Sequence, residues 1–144
     1  MSLLIPEFLR DAAWLDAALD MRHSLNVAEV GCGQGQRCRL WASRGHHVFG
    51  VDHDGEQIAL ARRHAFAGEL EIMFDVARAS ALPWPGRCMD LCLGPAPAGS
   101  GADWQACLAE LGRVLRPDGF LWLGSGATLR RYRRGETGET FTAA

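Results

Sequence analysis

Short apolar segments alternate with amphipathic segments along most of this chain, a pattern typical of strands alternating with helices. The predicted strands cover residues 26–30, 47–51, 70–74, 89–93 and 120–123. The predicted helices cover residues 6–20, 35–43, 56–66 and 102–115. Strands separated by helices of this length favour a mainly parallel sheet with right-handed crossovers.

The alternation predicts a single α/β domain, doubly wound and Rossmann-like, with helices on both faces of about five strands. With 144 residues, the chain is long enough for one domain with its own core. We place that core at residues 27–124, after an N-terminal helix within 1–25 and before a short basic tail at 125–144.

A glycine-rich turn follows the first strand. Gly31, Gly33 and Gly35 alternate there, and Glu29 lies two residues before the first of them. Such glycines let the backbone turn sharply and approach a ligand closely. Gln36 stands one residue after the third glycine, so the turn lacks the G-x-G-x-x-G spacing of dinucleotide-binding folds. It also lacks the Gly-Lys-Ser/Thr ending of a P-loop.

A carboxylate ends the second strand. Asp52 follows the apolar residues of 47–51, and Asp54 comes two residues later. In folds of this kind, such a carboxylate accepts hydrogen bonds from ribose hydroxyls. We assign this role to Asp52, with Asp54 as the alternative or as the N-cap of the next helix.

Four motifs in order resemble the class I S-adenosylmethionine (SAM)-dependent methyltransferases, small-molecule enzymes in particular. The first is the acid-x-Gly-x-Gly-x-Gly turn, and the second runs from Gly45 through Asp52 to Arg62. The third pairs Leu82-Pro83-Trp84 with Met89-Asp90-Leu91, and the fourth spans 110–119. The resemblance covers roughly residues 27–124.

The resemblance implies the strand order 3-2-1-4-5 and a cofactor, S-adenosyl-L-methionine, at the carboxyl ends of strands one and two. It implies methyl transfer to a small organic acceptor. Glu29 then accepts a hydrogen bond from the cofactor's amino group, and Asp52 accepts hydrogen bonds from the ribose hydroxyls. The full set of expected cofactor-binding residues is Glu29, Gly31, Cys32, Gly33, Gly35, Asp52, His53, Ala79 and Leu93. Catalytic residues are not identified, because methyl transfer depends mainly on positioning.

The chain departs from the family pattern at the adenine subsite. Arg78 stands where the family usually has an acid, and a guanidinium has no hydrogen-bond acceptor. Ala79 still offers its backbone, and Asp75 is the alternative acceptor. The segment 93–97 is expected to form a rigid apolar wall beside the methyl group.

Composition narrows the environment and the partners. The net charge of −2 gives no general attraction to nucleic acid or anionic membranes. Five scattered cysteines without a C-x₂-C pair indicate reduced thiols in a cytoplasmic protein, and no metal site is expected. His46, His47 and His53 are interpreted as solvated loop residues. Arg130-Arg131-Tyr132-Arg133-Arg134 is interpreted as a solvated terminal segment, with nucleic-acid binding as the alternative.

The short C-terminus affects both assembly and activity. Because the chain nearly ends after the fifth strand, residues 120–123 are expected near a sheet edge, which proteins usually cover. The tail folding back or a second subunit would cover it, and we expect a homodimer or a partner protein. Two alternative functions stay open: an inactive methyltransferase-like partner subunit, and an NAD-binding oxidoreductase.

Overall fold

The computed structural model describes residues 24–95, 101–124, 129–135 and 141–143. The helix predicted at 6–20 lies outside these residues. The strands are β1 (Asn26–Val30), β2 (His47–Asp52), β3 (Ile72–Val76), β4 (Met89–Gly94), β5 (Leu115–Leu123), β6 (Arg130–Arg134) and β7 (Phe141–Ala143). The helices are α1 (Gln36–Ser43), α2 (Gly55–Ala67) and α3 (Ala102–Val114).

The strands of the described residues form one sheet in the order β3-β2-β1-β4-β5-β6-β7. Strands β1 to β5 pair in parallel, while β6 and β7 add an antiparallel end. The predicted doubly wound fold and the order 3-2-1-4-5 are confirmed. The sheet has two strands more than expected because the tail continues it.

The arginine-rich run is strand β6 and not a solvated segment, so that interpretation was wrong. It pairs with β5 from Phe120 to Leu123. The guanidinium carbons of Arg131 and Arg133 lie 5.2 and 5.1 Å from the ring centres of Trp122 and Phe120. These cation–π contacts explain how so polar a strand joins a buried sheet.

The strand Arg130–Arg134 also ties the sheet to α3. Its last residue, Arg134, is buried, and its Nε donates to the carbonyl of Gly112 at 2.7 Å. Of the two covers expected for β5, the folded-back tail is therefore the one present.

Two apolar layers hold the sheet. On one face, α1 and α2 pack their buried residues, among them Trp41 and Ile58, against Val27 and Trp122. Trp41 and Trp122 meet edge to face with ring centres 5.8 Å apart. On the other face, α3 and the loop with Trp84 cover the sheet. Parallel strands are expected to be covered on both faces in this way.

Several boundaries differ from the predicted ones by one or two residues, and β5 begins at Leu115 and not at residue 120. Strand β3 begins at Ile72 and not at residue 70, because Glu69 adopts a left-handed φ of 55° in the turn after α2. Helix α3 ends at Val114, and Leu115 is already extended. Residues close before a proline, here Pro117, disfavour helix. The ladder between β4 and β5 shifts register there, from Met89–Leu115 to Leu91–Phe120.

Candidate functional site

The glycine turn lies at the carboxyl end of β1, above the neighbouring strand β2. The backbone N–H groups of Gly31 and Cys32 both donate to the carbonyl of Val51, at 2.8 and 3.0 Å. Gly31, Gly33 and Gly35 all have positive φ angles, of 75°, 54° and 77°. Only glycine adopts such angles without strain, which explains why this residue type recurs.

One side of the turn is packed and the other is open. A Cβ added to Gly35 would lie 2.7 Å from Cζ of Phe74, so this glycine lets β3 and the turn pack closely. A Cβ added to Gly31 would meet no atom within 4 Å. Gly31 is exposed, so the turn presents backbone, free of side chains, to an open cleft.

Asp52 links the glycine turn to the end of β2. Its Oδ2 accepts from the backbone N–H of Gly33 at 3.0 Å, and its Oδ1 accepts from that of Asp54 at 2.9 Å. The side chain is buried, with 11% of its surface exposed. Each carboxylate oxygen has two lone pairs, so one acceptor position on each remains for a hydroxyl.

Asp54 has the capping role. Its side chain accepts from the backbone N–H of Glu56 at 2.9 Å and forms the N-cap of α2. His53 lies between the two aspartates with an exposed side chain, and its Nδ1 is 3.6 Å from Oδ1 of Asp52. The structure therefore separates the two aspartates, Asp52 at the turn and Asp54 at the helix.

Glu29 lies beneath the turn in a nearly dry environment. Glu29 is 7% exposed, and burial raises the pKa of its carboxyl from an ordinary value of 4.5 to about 7. The nearby guanidinium of Arg37, whose Nε is 3.6 Å from Oε2, counteracts part of this rise. The thiol of Cys38 donates to Oε1 at 3.4 Å. A carboxyl group whose pKa lies near neutral pH changes its ionisation readily when a charged group binds beside it.

The remaining expected residues are placed differently. Ala79 is half-buried against the core and Arg78 beside it is exposed, in the turn after β3. Asp75 lies inside β3, paired with Val51. Cys32 is buried, and its Sγ is 3.7 Å from the carbonyl of Gly33. Leu93 lies within β4, and the whole residue is buried.

His46 is not the solvated loop residue that the sequence suggested. It is buried beside Trp41, with ring centres 5.6 Å apart, and its Nδ1 accepts from the backbone N–H of Leu25 at 3.1 Å. Within residues 24–95, 101–124, 129–135 and 141–143, no three His, Cys, Asp or Glu side chains are grouped as a metal site would require.

Three further side chains approach the turn, and the sequence analysis did not select them. Arg37 and Cys38 both contact Glu29 from the first turn of α1. Gln57 of α2 places its Oε1 3.8 Å from where a Cβ of Gly33 would lie. Their nearness follows from how helices dock on the sheet, and no local pattern in the sequence marks them.

The geometry provides a recognisable set of chemical groups. The turn offers backbone to a ligand, Asp52 offers hydrogen-bond acceptors to hydroxyls, and Glu29 with Arg37 offers both signs of charge. These groups lie at the carboxyl ends of adjacent parallel strands, where doubly wound folds bind nucleotide-like ligands.

No helix in the described part of the chain is long and apolar enough to cross a membrane.

Comparisons with known proteins identify the family of this chain. A family model described as "Methyltransferase domain" matches residues 27–119. The chain is similar to the demethylmenaquinone methyltransferase of Thermus thermophilus, with 33% identity over 79% of this chain and 54% of the relative. It is also similar to the ubiquinone biosynthesis O-methyltransferase of Mesorhizobium japonicum, with 29% identity over 74% of this chain and 42% of the relative.

Among solved structures, a SAM-dependent methyltransferase from Methanosarcina mazei superposes with a TM-score of 0.65. Its sequence is 27% identical, and the match covers 72% of this chain and 53% of that one. The chain thus spans about half the length of the curated relatives it matches.

Proposed function

Because this chain belongs to the methyltransferase-domain family, whose model matches residues 27–119, we propose that it binds S-adenosyl-L-methionine and methylates a small organic acceptor. The observation that carries the proposal is the hydrogen bond from Gly33 to Asp52. It joins the glycine turn and the ribose-binding candidate, 19 residues apart in sequence, into one site.

The residues of the site fit this cofactor. The open side of the turn at Gly31 has room for a ligand to lie against backbone. Asp52 would hold the ribose hydroxyls with its remaining acceptor positions, and the turn keeps it oriented through Gly33. Glu29 would compensate the positive charge of the cofactor's amino group. The surroundings of the cofactor would be completed by Cys32, Gly35, His53, Ala79 and Leu93.

When bound, the cofactor supplies an electrophilic methyl group on a sulfonium centre. What the chain contributes is position: a fixed turn, an oriented Asp52 and a buried floor under both. Holding two reactants in attack geometry is worth about 7–11 kcal/mol of the barrier in favourable cases. An anchored site of this kind therefore accounts for methyl transfer without a dedicated base among the residues named.

Two further proposals concern the setting of the protein. All five cysteines are free thiols in the structure, which supports a reducing, cytoplasmic location.

An apolar groove of about 260 Å³ is lined by Trp104, Leu108, Leu121, Leu123, Tyr132 and Phe141. This groove beside β6 and β7 supports the homodimer that the sequence suggested. The two subunits would then pair through this apolar face and not through the edge of β5. Light scattering at micromolar concentration tests it, and a clean monomer would exclude it.

Isothermal titration calorimetry with S-adenosylhomocysteine, the demethylated product, tests the cofactor. We expect saturable binding and a raised melting temperature, because a ligand that binds only the folded state stabilises it. Gly33→Val should abolish binding, since a branched side chain at φ 54° both strains the turn and obstructs the cleft. NAD serves as the comparison ligand. Absence of S-adenosylhomocysteine binding at millimolar concentration would refute the proposal, and binding of NAD instead would favour the oxidoreductase.

A further inference from the structure

Arg37 lies across the carboxyl edge of the sheet, at a position that the family resemblance did not single out. Its Nε is 3.6 Å from Oε2 of Glu29 at the end of β1. Its Nη1 donates to the carbonyl of Gly124, just beyond β5, at 3.4 Å. Strand β4 separates β1 from β5, so the side chain reaches over the end of β4.

Within the part of the chain that the structure describes, the positive charge of Arg37 is only partly compensated. Glu29 is its single ion-pair partner among the described residues, at a distance too long for a strong hydrogen bond. Burial raises the pKa of the Glu29 carboxyl to about 7, so near neutral pH part of the population is protonated. A guanidinium carries five N–H donors, and the contact with Gly124 uses one.

The side chain is also accessible. It is 30% exposed, whereas the Glu29 side chain behind it is 9% exposed. A guanidinium binds a carboxylate through two parallel hydrogen bonds, which is the pairing its planar fork fits best. Glu29 next to it disfavours a doubly charged phosphate and suits a carboxylate that has an ammonium or hydroxyl group close by.

We propose that Arg37 is a carboxylate-recognition residue of the site, a specificity-determining group between the glycine turn and the end of β5. This inference rests on the proposed function. Two molecules in such a site can present the carboxylate: the cofactor through its amino-acid end, or the methyl acceptor. Both would meet the same guanidinium, and suitable probes distinguish them.

The first measurement compares two adenosine compounds by calorimetry. S-adenosylhomocysteine carries the amino-acid end, and 5′-methylthioadenosine lacks it. For a cofactor carboxylate, Arg37→Gln lowers the affinity for S-adenosylhomocysteine about 10- to 100-fold and leaves that for 5′-methylthioadenosine within about twofold. Arg37→Lys recovers part of the loss, because it keeps the charge without the fork. The matched control is Arg39→Gln on the same helix, whose Nη1 donates to the carbonyl of Gln34.

The second measurement covers the acceptor. With S-adenosylhomocysteine saturating, benzoate and benzyl alcohol are titrated and followed by NMR. For an acceptor carboxylate, wild type prefers benzoate and Arg37→Gln abolishes the preference, with the affinity for S-adenosylhomocysteine unchanged. The inference is overturned if Arg37→Gln alters no probe, or if it weakens both adenosine compounds equally, as structural damage would. Wild type that binds neither adenosine compound refutes the proposed function itself.

Discussion

The backbone N–H of Gly33 donates to Oδ2 of Asp52 at 3.0 Å, and this bond couples the glycine turn after β1 to the end of β2. The second oxygen of the same carboxylate accepts from the backbone N–H of Asp54 at the start of α2. Asp52 therefore joins the turn to the start of α2, and in the proposed function it also offers acceptors to the ribose. Its loss has two consequences that can be measured separately.

Asp52→Ala should weaken S-adenosylhomocysteine binding by about 1–3 kcal/mol, because ribose hydroxyls lose their acceptor. It should also lower the free energy of unfolding by about 1–2 kcal/mol, since two backbone N–H groups lose their partner. Calorimetry and urea unfolding give the two numbers. Asp54→Ala is the control, with about 1 kcal/mol of stability lost as an N-cap and unchanged affinity. The opposite pattern would make Asp54 the ribose-binding residue.

Gly35→Ala should destabilise the protein by about 1–3 kcal/mol more than Gly31→Ala. Both positions have φ near +75°, so the backbone strain of an added Cβ is similar. The difference is packing, because only at Gly35 would the Cβ meet the ring of Phe74 at 2.7 Å. Urea unfolding of the two variants measures it. In a Phe74→Leu background the difference should shrink, and an unchanged difference would exclude the Phe74 ring as its cause.

The free energy of unfolding should fall as the pH rises from about 5 to 7. The raised pKa of Glu29 means that its protonated form stabilises the folded state fully below pH 4.5, and that this contribution is lost as the pH passes through about 7. A difference of this size corresponds to about 2–3 kcal/mol across the window. Glu29→Gln should flatten the slope, whereas Glu56→Gln, an exposed position in α2, should keep it. Equal slopes in wild type and Glu29→Gln would contradict the burial argument.

Arg134→Ala should cost about 2–4 kcal/mol of stability, while Arg130→Ala in the same strand should cost less than about 0.5 kcal/mol. Arg134 is 3% exposed and donates to the carbonyl of Gly112, so its removal leaves a buried acceptor without that partner. Arg130 is exposed. Thermal unfolding of both variants decides it. Comparable losses would mean that β6 depends on its overall charge and not on the buried arginine.

The sequence alone determined the parallel part of the fold and selected residues that the structure brings together at the glycine turn. Apolar periodicity placed β1, β2, β4 and α1 within a residue or two, since buried strands and amphipathic helices leave a direct local signature. Gly31, Gly33 and Gly35 were selected from the sequence because positive φ angles restrict the residue type. Asp52 was selected because it ends a strand whose neighbour ends in the turn.

The tertiary structure decided what depends on contacts between distant segments. Residues 130–134 are polar and give no local strand signal, and the folded-back tail was only one of two covers expected for β5. In the structure, Arg131 and Arg133 lie over the core rings of Trp122 and Phe120. Arg37 approaches Glu29 only because α1 docks on the face of β1 to which Glu29 points. Burial then raises the pKa of Glu29 to about 7, and desolvation of this kind depends on the assembled surroundings of a group and not on its neighbours in sequence.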